Sequence, residues 1–274
     1  MLKYPSKSSC RARAAASAAG WALLTLWLAG CQTTAPSDIT GSLGDTADKT
    51  QLATSPGDLD RYRDRYRASP GDADAALQYG KALRATGQRS QAVAVLEQAT
   101  IAHPDNKALL AGYGRALADN GNFQQAFDVL SRAHSPDDPD WRILSAQGTA
   151  LDQLGRYDEA RQYYASALRI APDEPTVLSN LGLSYVLSKD LPKAEESLRR
   201  AYDHAGADPR VRTNLAVVVG LQGRSAEAET LVKAGLPPEQ ATARVAELKR
   251  LLSRTEHAQR GAAKLPVASR VTAD

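Results

Sequence analysis

Residues 73–106 read ADAALQYGKALRATGQRSQAVAVLEQATIAHPDN, and the chain then repeats this pattern in register. Gly87, Gly121, Gly155 and Gly223 fall at multiples of 34 residues, as do Ala92, Ala126, Ala160, Ala194 and Ala228. A third column holds Gly80, Gly114, Gly148, Gly182 and Ala216, and a fourth holds Ala99, Ala133, Ala167 and Ala201. A fixed period of this size marks stacked supersecondary units, none of which can bury its apolar face alone. The units are 73–106, 107–140, 141–174, 175–208 and 209–242, with the last expected to stop early, near 236.

A helix pair accounts for each column. Small residues at 80, 114, 148, 182 and 216 let a first helix approach the second closely, and the Ala92 column does the same from the facing side. The Gly87 column falls where the first helix must stop and turn through a left-handed residue. Larger residues fill the remaining core columns: Tyr79, Tyr113 and Leu181; Leu83, Leu117, Leu151 and Tyr185; Leu96, Leu130, Tyr164 and Leu198. Pro104 and Pro172 end the second helices of their units. The pattern resembles the tetratricopeptide repeat (TPR). It predicts an all-α solenoid of about five helix pairs over 73–236. Two departures stand out: Lys189 occupies a turn-glycine position, and Gly235 replaces the last alanine.

Solenoid ends need covers. Residues 58–72 (DLDRYRDRYRASPGD) precede the first unit, and Tyr62 and Tyr66 lie one helical turn apart. The predicted role is an N-terminal capping helix with its arginines solvated, rather than a nucleic-acid patch. Residues 237–256 form the predicted C-terminal cap, with Ala241, Val245, Leu248, Leu251 and Leu252 on one stripe. Residues 257–274 lack periodicity and are expected to be a disordered tail.

Residues 1–30 form a leader. Lys3, Lys7, Arg11 and Arg13 precede a short apolar run around Trp21, Leu23, Leu24, Leu26, Trp27 and Leu28. That is the layout of a secretory signal peptide. It ends in Leu28-Ala29-Gly30-Cys31, which resembles the lipobox of bacterial lipoproteins. The resemblance implies diacylglycerol on the Cys31 thiol and a further acyl chain on the amine that cleavage exposes. Several acyl chains anchor a protein durably. The only other cysteine, Cys10, lies in the leader. Gln32 is not the Asp that resembles an inner-membrane retention signal, so the periplasmic face of the outer membrane is the expected address. Residues 31–57 are rich in Thr, Ser, Gly, Asp and Ala. As a flexible tether their coil would span about 28 Å root-mean-square.

Charge and motifs exclude other classes. With the leader's four cations set aside, 30 basic residues face 31 acidic ones, leaving no bulk charge for nucleic acid. His103, His134, His204 and His257 show no metal-ligand spacing. The sequence contains neither a Gly-rich phosphate loop nor a nucleophile elbow. An enzyme is not expected, and neither is a metal nor any cofactor beyond the acyl chains.

The expected working surface is the concave groove lined by the first helix of each unit. It carries Lys81, Arg84 and Arg115 early, then Ser145, Thr149 and Asp152, then Asn180, Leu183, Asn214 and Val217. Asn180 and Asn214 sit one repeat apart, where they resemble the backbone-clamping asparagines of peptide-binding TPRs. The two-Lys, two-Asn, one-Arg set of chaperone-type carboxylate clamps is absent.

Residues 208–224 (DPRVRTNLAVVVGLQGR), Ala226-Glu227-Ala228-Glu229 and the Leu-Pro-Pro at 236–238 resemble the TadD family of tight-adherence (Flp) pilus assembly. The resemblance implies a protein-binding scaffold at the outer membrane, with a secretin or other pilus-assembly components as partners. A type IV pilotin, an outer-membrane biogenesis lipoprotein and a regulator of peptidoglycan enzymes are the alternatives. End helices of such arrays also self-associate, so a homodimer is open.

Overall fold

The computed structural model describes residues 56–205 and 208–263. The leader, the Leu28–Cys31 lipobox, the tether up to residue 55 and residues 264–274 lie outside the described residues. Within them the chain folds into twelve helices and no strand.

Helix α1 spans Pro56–Ala68. Five hairpins follow: α2 (Ala73–Ala85) with α3 (Arg89–Ala102), α4 (Lys107–Asp119) with α5 (Phe123–Arg132), and α6 (Trp141–Gln153) with α7 (Tyr157–Ile170). The last two pair α8 (Pro175–Leu187) with α9 (Leu191–Ala205), and α10 (Pro209–Leu221) with α11 (Ser225–Lys233). Helix α12 (Pro238–Ala263) closes the array.

The local reasons recur every repeat. Each first helix begins on a polar cap: Asp72, Asn106, Asp140, Glu174 and Asp208 accept backbone N–H groups of the opening turn. Each such cap contributes about 1 kcal/mol. Each hairpin turns through one left-handed residue. Gly87, Gly121, Gly155 and Gly223 have φ between 76° and 88°, and Lys189 takes the same conformation at 64°.

The small-residue column sets how closely a pair packs. A Cβ built on Gly80 would fall 2.5 Å from Leu96, on Gly114 2.6 Å from Leu130, and on Gly182 2.6 Å from Leu198. On Gly148 it would fall 2.7 Å from the Tyr164 ring. From the opposite side, Ala92, Ala126, Ala160, Ala194 and Ala228 are fully buried. Leu83, Leu96, Leu117, Leu130, Leu151, Tyr164 and Leu198 fill the interior, buried to within 1%.

First helices pack side by side along the array, α2 on α4, α4 on α6, α6 on α8 and α8 on α10. Second-helix backbones stay farther apart and meet through side chains: Phe127 of α5 packs edge-on against Tyr163 of α7, and Arg199 of α9 pairs with Glu227 of α11. The array therefore curves with the first helices on its inner wall.

The ends differ in detail from the sequence reading. Helix α1 starts at Pro56, before the predicted 58, and stops at Ala68, where Ser69–Asp72 make a turn. Tyr66 stacks on Tyr79 at 5.6 Å between ring centroids, and Leu59, Tyr62 and Tyr66 cover the first hairpin. At the other end Val245 and Leu248 are buried, and Leu252 lies against Gly220. The tail predicted as disordered from 257 begins too early, because α12 continues to Ala263. Residues 256–263 (EHAQRGAA) are mostly good helix formers with no proline before Pro266. Apolar periodicity, the signal behind the sequence reading, ends at Leu252 and does not extend into this last stretch. The fifth repeat has the shortest described helix, α11, of nine residues.

Candidate functional site: the concave groove

The inner wall is built from one face each of α2, α4, α6, α8 and α10. Its centre holds a shallow, open depression. Arg115 of α4 borders it on one side and Asn180 of α8 on the other. Its floor comes from α6: Trp141, Arg142, Ser145, Ala146 and Thr149. The Arg142 guanidinium lies 4.5 Å from the Trp141 ring centroid and 3.9 Å from the Asp140 carboxylate.

The structure brings Arg115, Ser145, Thr149 and Asn180 together at this depression, with Ser145 nearly buried. It places others differently. Arg84 donates Nε to Asp119 Oδ2 at 2.7 Å, and the two side chains are only 7% and 10% exposed. Its charge is thus committed to the wall, tying α2 to α4. Val217 is 7% exposed and packs in the C-terminal core with Leu215 and Val218, so it belongs to the interior. Helix α10 is apolar on nearly every side, and the repeat position alone did not tell which valine faces inward. Lys81 and Leu183 are half-buried on α2 and α8.

The two asparagines are engaged within the wall. Asn180 Nδ2 donates to Ser145 Oγ at 3.1 Å, and Asn214 Nδ2 donates to Ser179 Oγ at 3.0 Å. Each link joins neighbouring first helices and fixes the amide orientation. Besides the N–H used in each link, an amide carries a carbonyl oxygen and a second N–H.

Beneath Thr149 lies a buried polar cluster. Tyr164 Oη donates to Asp152 Oδ2 at 2.8 Å and lies 3.1 Å from Thr149 Oγ1, while Ser184 Oγ donates to Asp152 Oδ1 at 2.7 Å. Burial pushes the Asp152 carboxyl up to about 6, against the opposing pull of Ser184, Tyr164 and Arg161. Asp152, expected in the groove, is 5% exposed and serves as an internal brace.

Sequence reasoning missed Trp141 and Arg142. Trp141 is the one tryptophan beyond the leader and opens α6 directly after the Ser135–Asp140 turn. An aromatic–cation pair at a helix start beside an irregular loop was the available signal.

Three family models described as tetratricopeptide repeat match the chain, over residues 77–140, 142–207 and 185–252. No curated protein matches it in sequence. Among solved structures it is similar to PilW, a widely conserved type IV pilus biogenesis factor: 18% identity, 73% of this chain, 99% of PilW, TM-score 0.59. A thermophilic TPR protein of Thermus thermophilus matches at 22% identity over 65% of this chain and 98% of its own, TM-score 0.57. The Cut9–Hcn1 hetero-tetramer of the APC/C matches at 17% identity over 72% of this chain and 42% of the other, TM-score 0.55. At these identities the likeness is one of fold.

Proposed function

Because the chain belongs to the tetratricopeptide-repeat family, we propose that it is a non-catalytic scaffold, lipid-anchored through Cys31 at the periplasmic face of the outer membrane. There it assembles or anchors the tight-adherence pilus machinery. Its concave groove holds a segment of a partner protein, with a secretin or another pilus-assembly component as the partner. Binding of protein partners is the general trade of this repeat, whose paired helices present a long, prebuilt inner wall.

The observation that carries the reading is the joining of three parts in one chain. A leader ends Leu28-Ala29-Gly30-Cys31, a polar tether follows, and the array closes on a 208–238 stretch similar to TadD proteins. PilW, similar in fold, is a type IV pilus biogenesis factor. That favours a type IV pilotin as the second reading.

The test is to cross-link and immunoprecipitate the full-length protein from outer membranes beside a Cys31→Ala version, identifying partners by mass spectrometry. Recovery of a secretin and tight-adherence components, lost with Cys31, supports the proposal. Recovery of type IV pilus proteins moves it to the second reading. Cell-wall hydrolases or porin-assembly proteins instead would refute the pilus role.

A further inference from the structure

We propose that Asp152, Tyr164 and Thr149 form a proton-sensitive relay that reverses the hydrogen bonds beneath the groove floor, a device whose bearing on binding rests on the groove reading above. Two distances define it. Tyr164 Oη lies 2.8 Å from Asp152 Oδ2 and 3.1 Å from Thr149 Oγ1. A phenol has one hydrogen, so it donates to only one of these oxygens at a time. Thr149 has a choice of its own, because the Ser145 carbonyl oxygen lies 3.0 Å from its hydroxyl.

The charge on Asp152 decides the direction. An ionised carboxylate only accepts. Tyr164 then turns its hydrogen to Oδ2, while Ser184 donates to Oδ1 at 2.7 Å. The Thr149 hydroxyl in turn donates to the phenol oxygen. When a proton binds Oδ2, the chain runs the other way: Oδ2 donates to Tyr164, Tyr164 to Thr149, and Thr149 to the Ser145 carbonyl. Each link survives in both states without displacing a heavy atom. The states differ at Thr149, half-buried in the lining of the depression. Its oxygen accepts from Tyr164 when Asp152 is neutral and is open to a ligand's donor when Asp152 is ionised.

The surroundings suit such a switch. Asp152 is 5% exposed, and Tyr164 and Ser184 are fully buried, so water is a poor competitor for these bonds. Arg161 of α7 supplies the charge that acts on the carboxyl, and α8 contributes the Ser184 hydroxyl. Helices α4 and α5, also packed on α6, add no charge to that set. Burial outweighs these influences and raises the carboxyl to about 6. Burial also holds the Tyr164 phenol well above its ordinary value, so its hydrogen stays in the relay. A proton at Oδ1 would reverse the Ser184 bond instead. Among the described residues the Ser184 hydroxyl has Asp152 as its one partner, so a reversed Ser184 would have no acceptor for its own hydrogen.

The test follows threonine methyl groups by NMR in the full-length protein, ¹³C-labelled and held in detergent micelles, from about pH 4 to 8. The Thr149 methyl, assigned by its loss in Thr149→Val, should shift with a single midpoint near pH 6. Asp152→Asn should flatten that shift. Tyr164→Phe, with unchanged helical circular dichroism, should flatten it too, although Asp152 is still present to titrate. A Thr149 methyl that stays still in the wild type would place the proton elsewhere and overturn the relay. A shift that survives Tyr164→Phe would overturn it as well, since Asp152 would then reach Thr149 without the phenol. No partner takes part, so either failure leaves the groove reading standing.

Discussion

Tyr164 and Asp152 lock a helix hairpin from inside: the phenol on α7 donates to Oδ2 of the carboxylate on α6 at 2.8 Å, with the tyrosine fully buried. Ser184 of α8 holds the other oxygen at 2.7 Å, so one side chain joins two repeats. Burial raises the Asp152 carboxyl from 3.8 to about 6. The folded state therefore takes up this proton more readily than the unfolded chain. The added stability is full below about pH 4 and is lost as pH rises through 6. A shift of this size corresponds to about 3 kcal/mol. Chemical denaturation of wild type and Asp152→Asn at pH 5 and pH 7 checks it. Wild type should gain on the variant at the lower pH, and parallel behaviour would refute the buried-acid account. Glu195 works in the opposite sense. Its hydrogen bond from Arg224 leads in lowering it to about 2, so its stabilisation is full above about pH 4.5 and is lost as pH falls through about 2.

Lys189 adopts the left-handed conformation that the other hairpins assign to glycine. Left-handed backbone costs a side-chain-bearing residue about 1–2 kcal/mol, and glycine's extra chain entropy returns about 0.5–1 kcal/mol of that. Lys189→Gly should stabilise the protein by about 0.5–1 kcal/mol, raising its melting temperature by about 1–4 °C. Lys189→Ala should show no such rise, since alanine keeps the strain.

Arg84 and Asp119 form a shielded ion pair across the first two repeats. Arg84→Leu leaves the nearly buried Asp119 carboxylate without that partner, at a cost of about 3–5 kcal/mol. Adding Asp119→Leu should recover much of that loss. Urea titrations of the two single variants and the double variant test this, and simple additivity of the losses would show that the pair is not coupled.

The fold was legible because its information is periodic. Gly80, Gly114, Gly148 and Gly182 recur at one spacing, and each is small because a Leu or Tyr of the partner helix occupies the space beside it. The capping column was harder to see, since Asp72, Asn106, Asp140, Glu174 and Asp208 share a function but not an identity. Groove residues were legible only as positions. Which of them reach a ligand depends on partners one repeat away, such as Asp119 for Arg84 and Ser145 for Asn180. No local pattern announces those pairings. Trp141 and Arg142 escaped because a cation–π pair at a helix start follows no repeat column.

The central claim is that the inner wall carries the partner. The most direct test places a photo-crosslinking amino acid at Leu183, on that wall, or at Glu196, exposed on second helix α9, in the full-length protein within cells. The account predicts a discrete protein adduct from position 183, diminished by Asn180→Ala with Asn214→Ala, and none from 196. Adducts from 196 alone would contradict it and move the interaction to the outer face.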